Sequence, residues 1–342
     1  MRLWQFGTIR AQKKASEHRY ILCLDGGGMR GIIPATIIAS IAKRLRTNGD
    51  ERPFYSHFDL ISGTSTGGLL ALALSSPCSP SSLLAYPHDQ SHLSCDPSLL
   101  ADLYVRYGST IFPRTQSLFQ FNVIGQLFTH KYDDLPFKRV LYDVFADSRL
   151  ADALVPTMVV TYDIGNDRPQ LLSSYDTPFV PIRTAARATS AAPTYFAPAS
   201  VVLDDSTAPH SLVDGGVVAN NPVLYAYREA KKLYPDAKMF HILSISTAHS
   251  SYKLEIEKSN SGVIGWLDPA KGAPIYRLYA SSQMRTSSEI AASLPDLEYV
   301  RIHSDLERHI KLDETDAHEL NYLIQSAKKI EAAHQTQIES FC

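Results

Sequence analysis

Residues 20–31, Tyr20-Ile21-Leu22-Cys23-Leu24-Asp25-Gly26-Gly27-Gly28-Met29-Arg30-Gly31, decide how the rest of the chain is read. A short apolar run that ends in glycines has the length and composition of a buried strand. The apolar residues of Ile32 to Leu45 then recur at helical spacing, and Asn48-Gly49 supplies a stop. The same order returns immediately. Phe58-Asp59-Leu60-Ile61-Ser62 reads as a second strand, Gly63-Thr64-Ser65-Thr66-Gly67-Gly68 as a second glycine turn, and Gly68 to Leu74 as a second helix. Strand, turn and helix occurring twice in succession predict an α/β fold with parallel strands and crossover helices.

Working outward, Pro156 to Asp163, Gln170 to Ser173, Leu212-Val213 and Phe240 to Ile245 read as further strands. Thr184 to Ser190 reads as a short Ala-rich helix, and Glu314 to Glu331 as the closing one. Pro222 to Leu233 is a helix with Asn221 at its N-cap and Pro222 at the first helical position. Ser75 to Ser98 is rich in Ser and Pro and carries His88 and His92, which predicts an exposed loop or lid. The aromatic-rich stretch Tyr104 to Phe145 follows it, as core or as the wall of an apolar channel. Residues 1–19 are a tail in which Trp4 and Phe6 are anchors, and 20–335 a single domain with 75–155 as its insert.

Composition excludes several classes. In 342 residues, 33 Lys+Arg against 35 Asp+Glu leave a formal charge of −2, so the chain as a whole is no basic nucleic-acid binder. A hydrophobic share of 44% is globular, not disordered. Cys23, Cys78, Cys95 and Cys342 form no CxxC pair, which argues against structural zinc and for reduced thiols. Residues 1–20 lack the apolar core of a secretory signal, and the longest apolar stretch, Gly31 to Ala42, contains Pro34 and is too short to span a bilayer. A cytoplasmic protein with peripheral membrane contact is the expectation.

Gly63-Thr64-Ser65-Thr66-Gly67 is a G-x-S-x-G with a strand before it and a helix after it, the setting that presents a serine hydroxyl above a sheet. A tight turn whose serine merely caps a helix is the plain alternative. The glycines Gly26, Gly27, Gly28 and Gly31 leave amides unobstructed just before a helix N-terminus, where they can converge on an anion. Gly26-x-Gly28-x-x-Gly31 is also the dinucleotide pattern. That reading requires an acid at the end of the second strand, and the nearest, Asp50-Glu51, follows Asn48-Gly49 in a turn. Of the histidines after Ser65, none sits in a Gly-flanked loop suited to a base, and His210 is the strongest of them. Leu212-Val213-Asp214-Gly215-Gly216 instead ends an apolar strand in an acid and two glycines.

Taken together, Asp25-Gly26-Gly27-Gly28-Met29-Arg30-Gly31, Gly63-Thr64-Ser65-Thr66-Gly67 and Asp214-Gly215-Gly216 resemble the signature motifs of patatin-like phospholipases. Ala186 to Phe196 and Asn220-Asn221-Pro222 are similar to further stretches of that family, in matching order from about residue 20 to about 245. The resemblance implies a three-layer α/β/α fold with a mainly parallel central sheet, and a serine lipid acyl hydrolase that needs no cofactor. It implies a Ser65–Asp214 dyad in which Asp214 takes the Ser65 proton directly. The oxyanion hole would be built from Gly27, Gly28, Met29 and Arg30. A carboxylate near its ordinary pKa is a weak base at neutral pH, so Asp214 is expected to be shielded from bulk water. Asp25 is expected to support the glycine turn, Asn220 and Asn221 to cap the following helix, and Arg183 and Arg187 to meet a lipid phosphate or stabilise a helix. Substrates would be phospholipids or lysophospholipids at a membrane surface. Trp266, Lys271, Tyr276, Arg277 and Tyr279 read either as an interfacial patch or as part of a packed amphipathic helix. The 75–98 insert would gate the site, opened by a membrane or a small-molecule activator, as in an activatable effector. The competing reading is a non-catalytic lipid-binding or storage protein, or a nucleotide-binding protein using the first glycine turn.

Overall fold

Strand β1 (His18–Leu24) shows how the molecule is layered: Ile21 and Cys23 enter one apolar core, Leu22 and Leu24 the other. That is the period-two alternation of a strand covered on both faces. A computed structural model describes residues 17–79, 81–85, 94–113, 130–204, 208–250 and 274–341. Trp4, Phe6, His88, His92, Trp266, Lys271 and Cys342, and the side chains of Tyr276 and Arg277, lie outside the described part.

After β1 come α1 (Ile32–Thr47), β2 (Leu60–Thr64), α2 (Thr66–Ser75), α3 (Leu100–Ile111) and α4 (Leu135–Phe145). Next are β3 (Thr157–Asp163), β4 (Arg168–Ser173), α5 (Ile182–Thr189), β5 (Ala199–Val201), β6 (His210–Asp214), α6 (Gly216–Ala219) and α7 (Val223–Leu233). The chain continues through β7 (Met239–Ile245), β8 (His249–Ser250), α8 (Pro274–Ser293), β9 (Leu297–Ile302), β10 (Asp305–Leu306), α9 (Ala317–Ala333) and α10 (Gln335–Phe341).

The main sheet runs β5-β6-β3-β2-β1-β7-β9, with β4 also paired to β3. The β1–β2, β2–β3, β1–β7 and β7–β9 pairs are parallel, as the repeated strand–turn–helix unit requires. One face packs on α1, α2, α5 and α9; Leu320, Leu323, Ala327 and Ile330 form the buried stripe of α9 at helical spacing. The other face packs on Val223, Ala226 and Ala230 of α7 and Ala291 of α8. This is the three-layer arrangement that the resemblance implies.

β6 and β5 depart from the parallel rule. β6 pairs antiparallel with β3 through Thr161, Tyr162 and Asp163, and β5 pairs antiparallel with β6. The Ser75–Ser98 segment also departs from its reading as an exposed lid, at least in its described residues. Leu84 and Cys95 are buried, Asp96 N–H donates to Leu84 O at 2.9 Å, and the Ser82 hydroxyl donates to Val144 O of α4 at 2.8 Å. The serines and prolines there shape turns and bond local backbone, so they mark irregular structure and not exposure. The described part of the aromatic stretch contributes core: Phe112 and Tyr132 make a ring contact, and these two and Phe137 each pack a ring against Phe196.

Candidate active site

Ser65 joins β2 to α2 with φ 55° and ψ −125°, in a region that costs a non-glycine residue about 1–3 kcal/mol. Close packing around it holds this geometry. A Cβ on Gly63 would lie 2.1 Å from Gly67 O, and one on Gly67 2.2 Å from Leu24 O, so only bare backbone fits. Ser65 N–H donates to the Thr189 hydroxyl at 2.9 Å, which in turn donates to Val160 O at 2.6 Å. The elbow is thereby tied to both α5 and β3.

Asp214 reaches Ser65 because of a register. β4 occupies one edge of β3 along Met158–Asp163, so β2 and β6 share the other. There Thr64, the last residue of β2, lies opposite Val160, while Asp214, the last of β6, lies opposite the next residue, Thr161. The two strands run toward each other and abut end to end. At the junction the Ser65 side chain lies near enough to the Asp214 carboxylate to lower its pKa. Gly216 N–H donates to Asp214 Oδ1 at 2.7 Å, and Asp214 is only 5% exposed. Burial pushes its carboxyl up to about 6, against the lowering influence of the nearby Ser65 side chain and of the Gly216 N–H. His210, at the far end of β6, is bonded through Nδ1 to Asp163 Oδ2 at 2.6 Å.

The first glycine turn lies against this junction: a Cβ on Gly26 would fall 3.2 Å from Ser65 Cβ. Gly26 N–H donates to Asn220 O at 3.0 Å, and Gly26 O accepts from Asn220 Nδ2 at 3.1 Å and from the Thr247 hydroxyl at 2.7 Å. Gly28 takes φ +58°, which glycine adopts without cost. The four amides assigned to the oxyanion hole are not equivalent. Met29 N–H donates to Leu312 O at 2.8 Å and Arg30 N–H to Gly27 O at 3.2 Å, whereas those of Gly27 and Gly28 meet no acceptor among the described residues. The Arg30 side chain folds back, with Nε donating to Gly27 O at 3.3 Å.

Asp25, fully buried, is held by a residue that reading the motifs missed. Arg301 of β9 donates through Nη1 and Nη2 to its two carboxylate oxygens, at 2.8 and 2.5 Å, and through Nη1 to the Ser244 hydroxyl at 2.7 Å. The one signal of Arg301 in the chain is a cation among strand-forming residues, Leu297-Glu298-Tyr299-Val300-Arg301-Ile302. The N-cap of α7 is Pro222 and not Asn221, which lies one residue earlier and accepts from Val223 N–H at 3.1 Å, while Asn220 serves the glycine turn. Arg187 bonds Asp134 and Ala197 O, and Arg183 bonds Asp147 and Ala146 O, so both serve the packing of α5. Tyr279, half-exposed on α8, donates to Val217 O at 2.8 Å, beside the turn that follows Asp214.

Comparison with known proteins identifies the family. The family model described as patatin-like phospholipase matches residues 22–227. Patatin-like protein 2 of rice (Oryza sativa subsp. indica) is 32% identical over 293 residues, 77% of this chain and 69% of that protein. Patatin-like protein 2 of Arabidopsis thaliana is 31% identical over 321 residues, 83% of this chain and 75% of that one. Among solved structures, VipD from Legionella pneumophila aligns with a TM-score of 0.39 at 13% identity, over 94% of this chain and 68% of its own, a likeness too loose to carry weight. By its family match and by its curated relatives, the chain belongs to the patatin-like phospholipases, lipid acyl hydrolases.

Proposed function

We propose that the protein hydrolyses fatty-acyl esters of phospholipids or lysophospholipids at a membrane surface through Ser65 and Asp214. The Ser65 oxygen attacks the ester carbonyl as its proton passes to Asp214, and the carbonyl oxygen becomes an oxyanion. Gly27 and Gly28 N–H groups receive that charge, a role worth about 10²–10³ in kcat per donor. The tetrahedral adduct collapses to an acyl-serine, and the leaving lyso-lipid or glycerol oxygen takes the proton from Asp214. Water then gives a proton to Asp214 and attacks the acyl carbon, and the fatty acid leaves as Ser65 recovers its hydrogen. Burial makes Asp214 a stronger base than an ordinary carboxylate, which is what a two-residue mechanism demands.

The burial of Asp214 beside Ser65, at the meeting of two strand ends, is the observation that supports this reading most. Release of fatty acid from phosphatidylcholine and lysophosphatidylcholine vesicles tests it. Wild type releases acid, Ser65→Ala gives none above buffer, and Asp214→Asn loses about 10³-fold or more in kcat. Retained turnover in Ser65→Ala places the nucleophile elsewhere.

A further inference from the structure

The match to the family model ends at residue 227, yet the glycine turn is completed by backbone from far beyond it. Lys311 to Glu314 form a tight turn, closed by Glu314 N–H to Lys311 O at 3.3 Å, and this turn is pressed against residues 28 and 29. Leu312 O accepts the Met29 amide at 2.8 Å, and a Cβ on Gly28 would lie 2.2 Å from the same oxygen. Asp313, with 6% of its side chain exposed, fixes the turn from the other side: Lys131 Nζ pairs with its Oδ2, and the Tyr132 hydroxyl donates to Oδ2 at 2.7 Å. These bonds hold the Asp313 carboxyl below the usual range despite its burial.

Of the amides in a glycine-rich turn, those without an internal acceptor are left for a ligand. Here the acceptor that takes Met29 out of that set is Leu312 O. We propose that Asp313 is a positioning residue for the acyl-transfer step. Clamped by Lys131 and Tyr132, it holds Leu312 O on the Met29 amide, and so fixes the peptide planes that aim Gly27 and Gly28 N–H at the substrate oxygen. The inference rests on the oxyanion role proposed above for those two amides. Oxyanion stabilisation is sensitive to donor placement, because each donor must sit within hydrogen-bond distance of where the charge develops and not merely near it. Loss of the clamp therefore falls on kcat and not on KM.

Steady-state hydrolysis of a soluble p-nitrophenyl ester by Asp313→Asn, Lys131→Met and Lys131→Arg tests this, alongside wild type and Ser65→Ala. Hydrogen–deuterium exchange of the peptide spanning residues 25–31 is measured on the same samples. Asp313→Asn and Lys131→Met are expected to lower kcat about tenfold or more with KM within twofold, and to weaken binding of an alkyl trifluoromethyl ketone in step. Both are expected to speed exchange at residues 25–31 while α1 stays protected, and Lys131→Arg to restore most of each. Wild-type kcat and ketone affinity in both variants overturn the proposal, as does a loss accompanied by faster exchange across the whole sheet, which marks a general packing role. If wild type itself turns over no ester, the oxyanion reading fails. In that case unchanged exchange at residues 25–31 would overturn the clamp as well, and faster exchange would retain it as a contact that orders the turn.

Discussion

Asp214 carries a proton balance that can be read in two ways. As a base it acts only when ionised, so with its carboxyl at about 6 the kcat/KM profile is expected to rise with pH and level off above about 7. A profile that levels off near pH 4 would contradict a buried base. The same shift has a thermodynamic consequence of opposite sense. A carboxyl whose folded pKa lies above its ordinary 3.8 binds a proton more tightly in the native state, so its contribution to stability is full below about pH 4 and is lost as pH rises to about 6. Two units amount to about 3 kcal/mol at most. Asp214→Asn abolishes that loss, so the variant is expected to be more stable than wild type at pH 8 and to gain nothing at pH 4, as measured by urea unfolding. Ser65 is readable as a candidate from its own turn, whereas Asp214, whose Asp-Gly turn taken alone reads as a plain turn, becomes a candidate only through the resemblance that the three glycine turns carry together. The unequal standing of Gly27, Gly28, Met29 and Arg30 was not legible, because it depends on Leu312, nearly 300 positions away.

At the scale of elements, the local units were readable and their directions were not. β1 with its glycine turn and α1, and β2 with its turn and α2, are contiguous, so periodicity and glycines are enough to place them. That β6 runs antiparallel along the edge of β3 vacated by β2 is a pairing between distant segments, and nothing in Leu212-Val213-Asp214 encodes it. This pairing brings Asp214 to Ser65. β9 is the other element whose consequence lies far from itself, since its Arg301 neutralises Asp25 beneath the glycine turn. Removing one partner of a buried pair leaves an uncompensated charge, at a cost of about 3–5 kcal/mol. Arg301→Met is therefore expected to lower the urea-unfolding free energy by about that amount, and Arg301→Met with Asp25→Asn to recover part of it. Additive losses in the double variant would show that the two side chains are not coupled.

For the whole molecule, the proposed catalytic apparatus is drawn from nearly the full length of the described chain. Residues 25–31, 65, 189, 214, 220, 247, 301 and 312 meet at the ends of β1, β2, β6 and β7. No helix among the described residues is long and apolar enough to cross a membrane, so contact with a lipid surface does not rest on a described spanning helix. The stretch beyond the family match supplies β9, the buried stripe of α9 against α1, and the Leu312 carbonyl. A chain ended after residue 250 is expected to lose fixed tertiary structure, read as loss of the near-UV circular dichroism signal, and to show no esterase activity. A truncated protein with native-like near-UV signal would contradict the role assigned to the C-terminal elements.

The pairing of Ser65 with Asp214 is tested most directly by the rate at which an alkyl fluorophosphonate modifies the protein, with the modified residue located by mass spectrometry. One phosphonyl group on Ser65 is predicted, added at a rate that climbs through about pH 6 in wild type and falls at least a hundredfold in Asp214→Asn. Modification at another residue, or equally fast modification of Ser65 in Asp214→Asn, would contradict it.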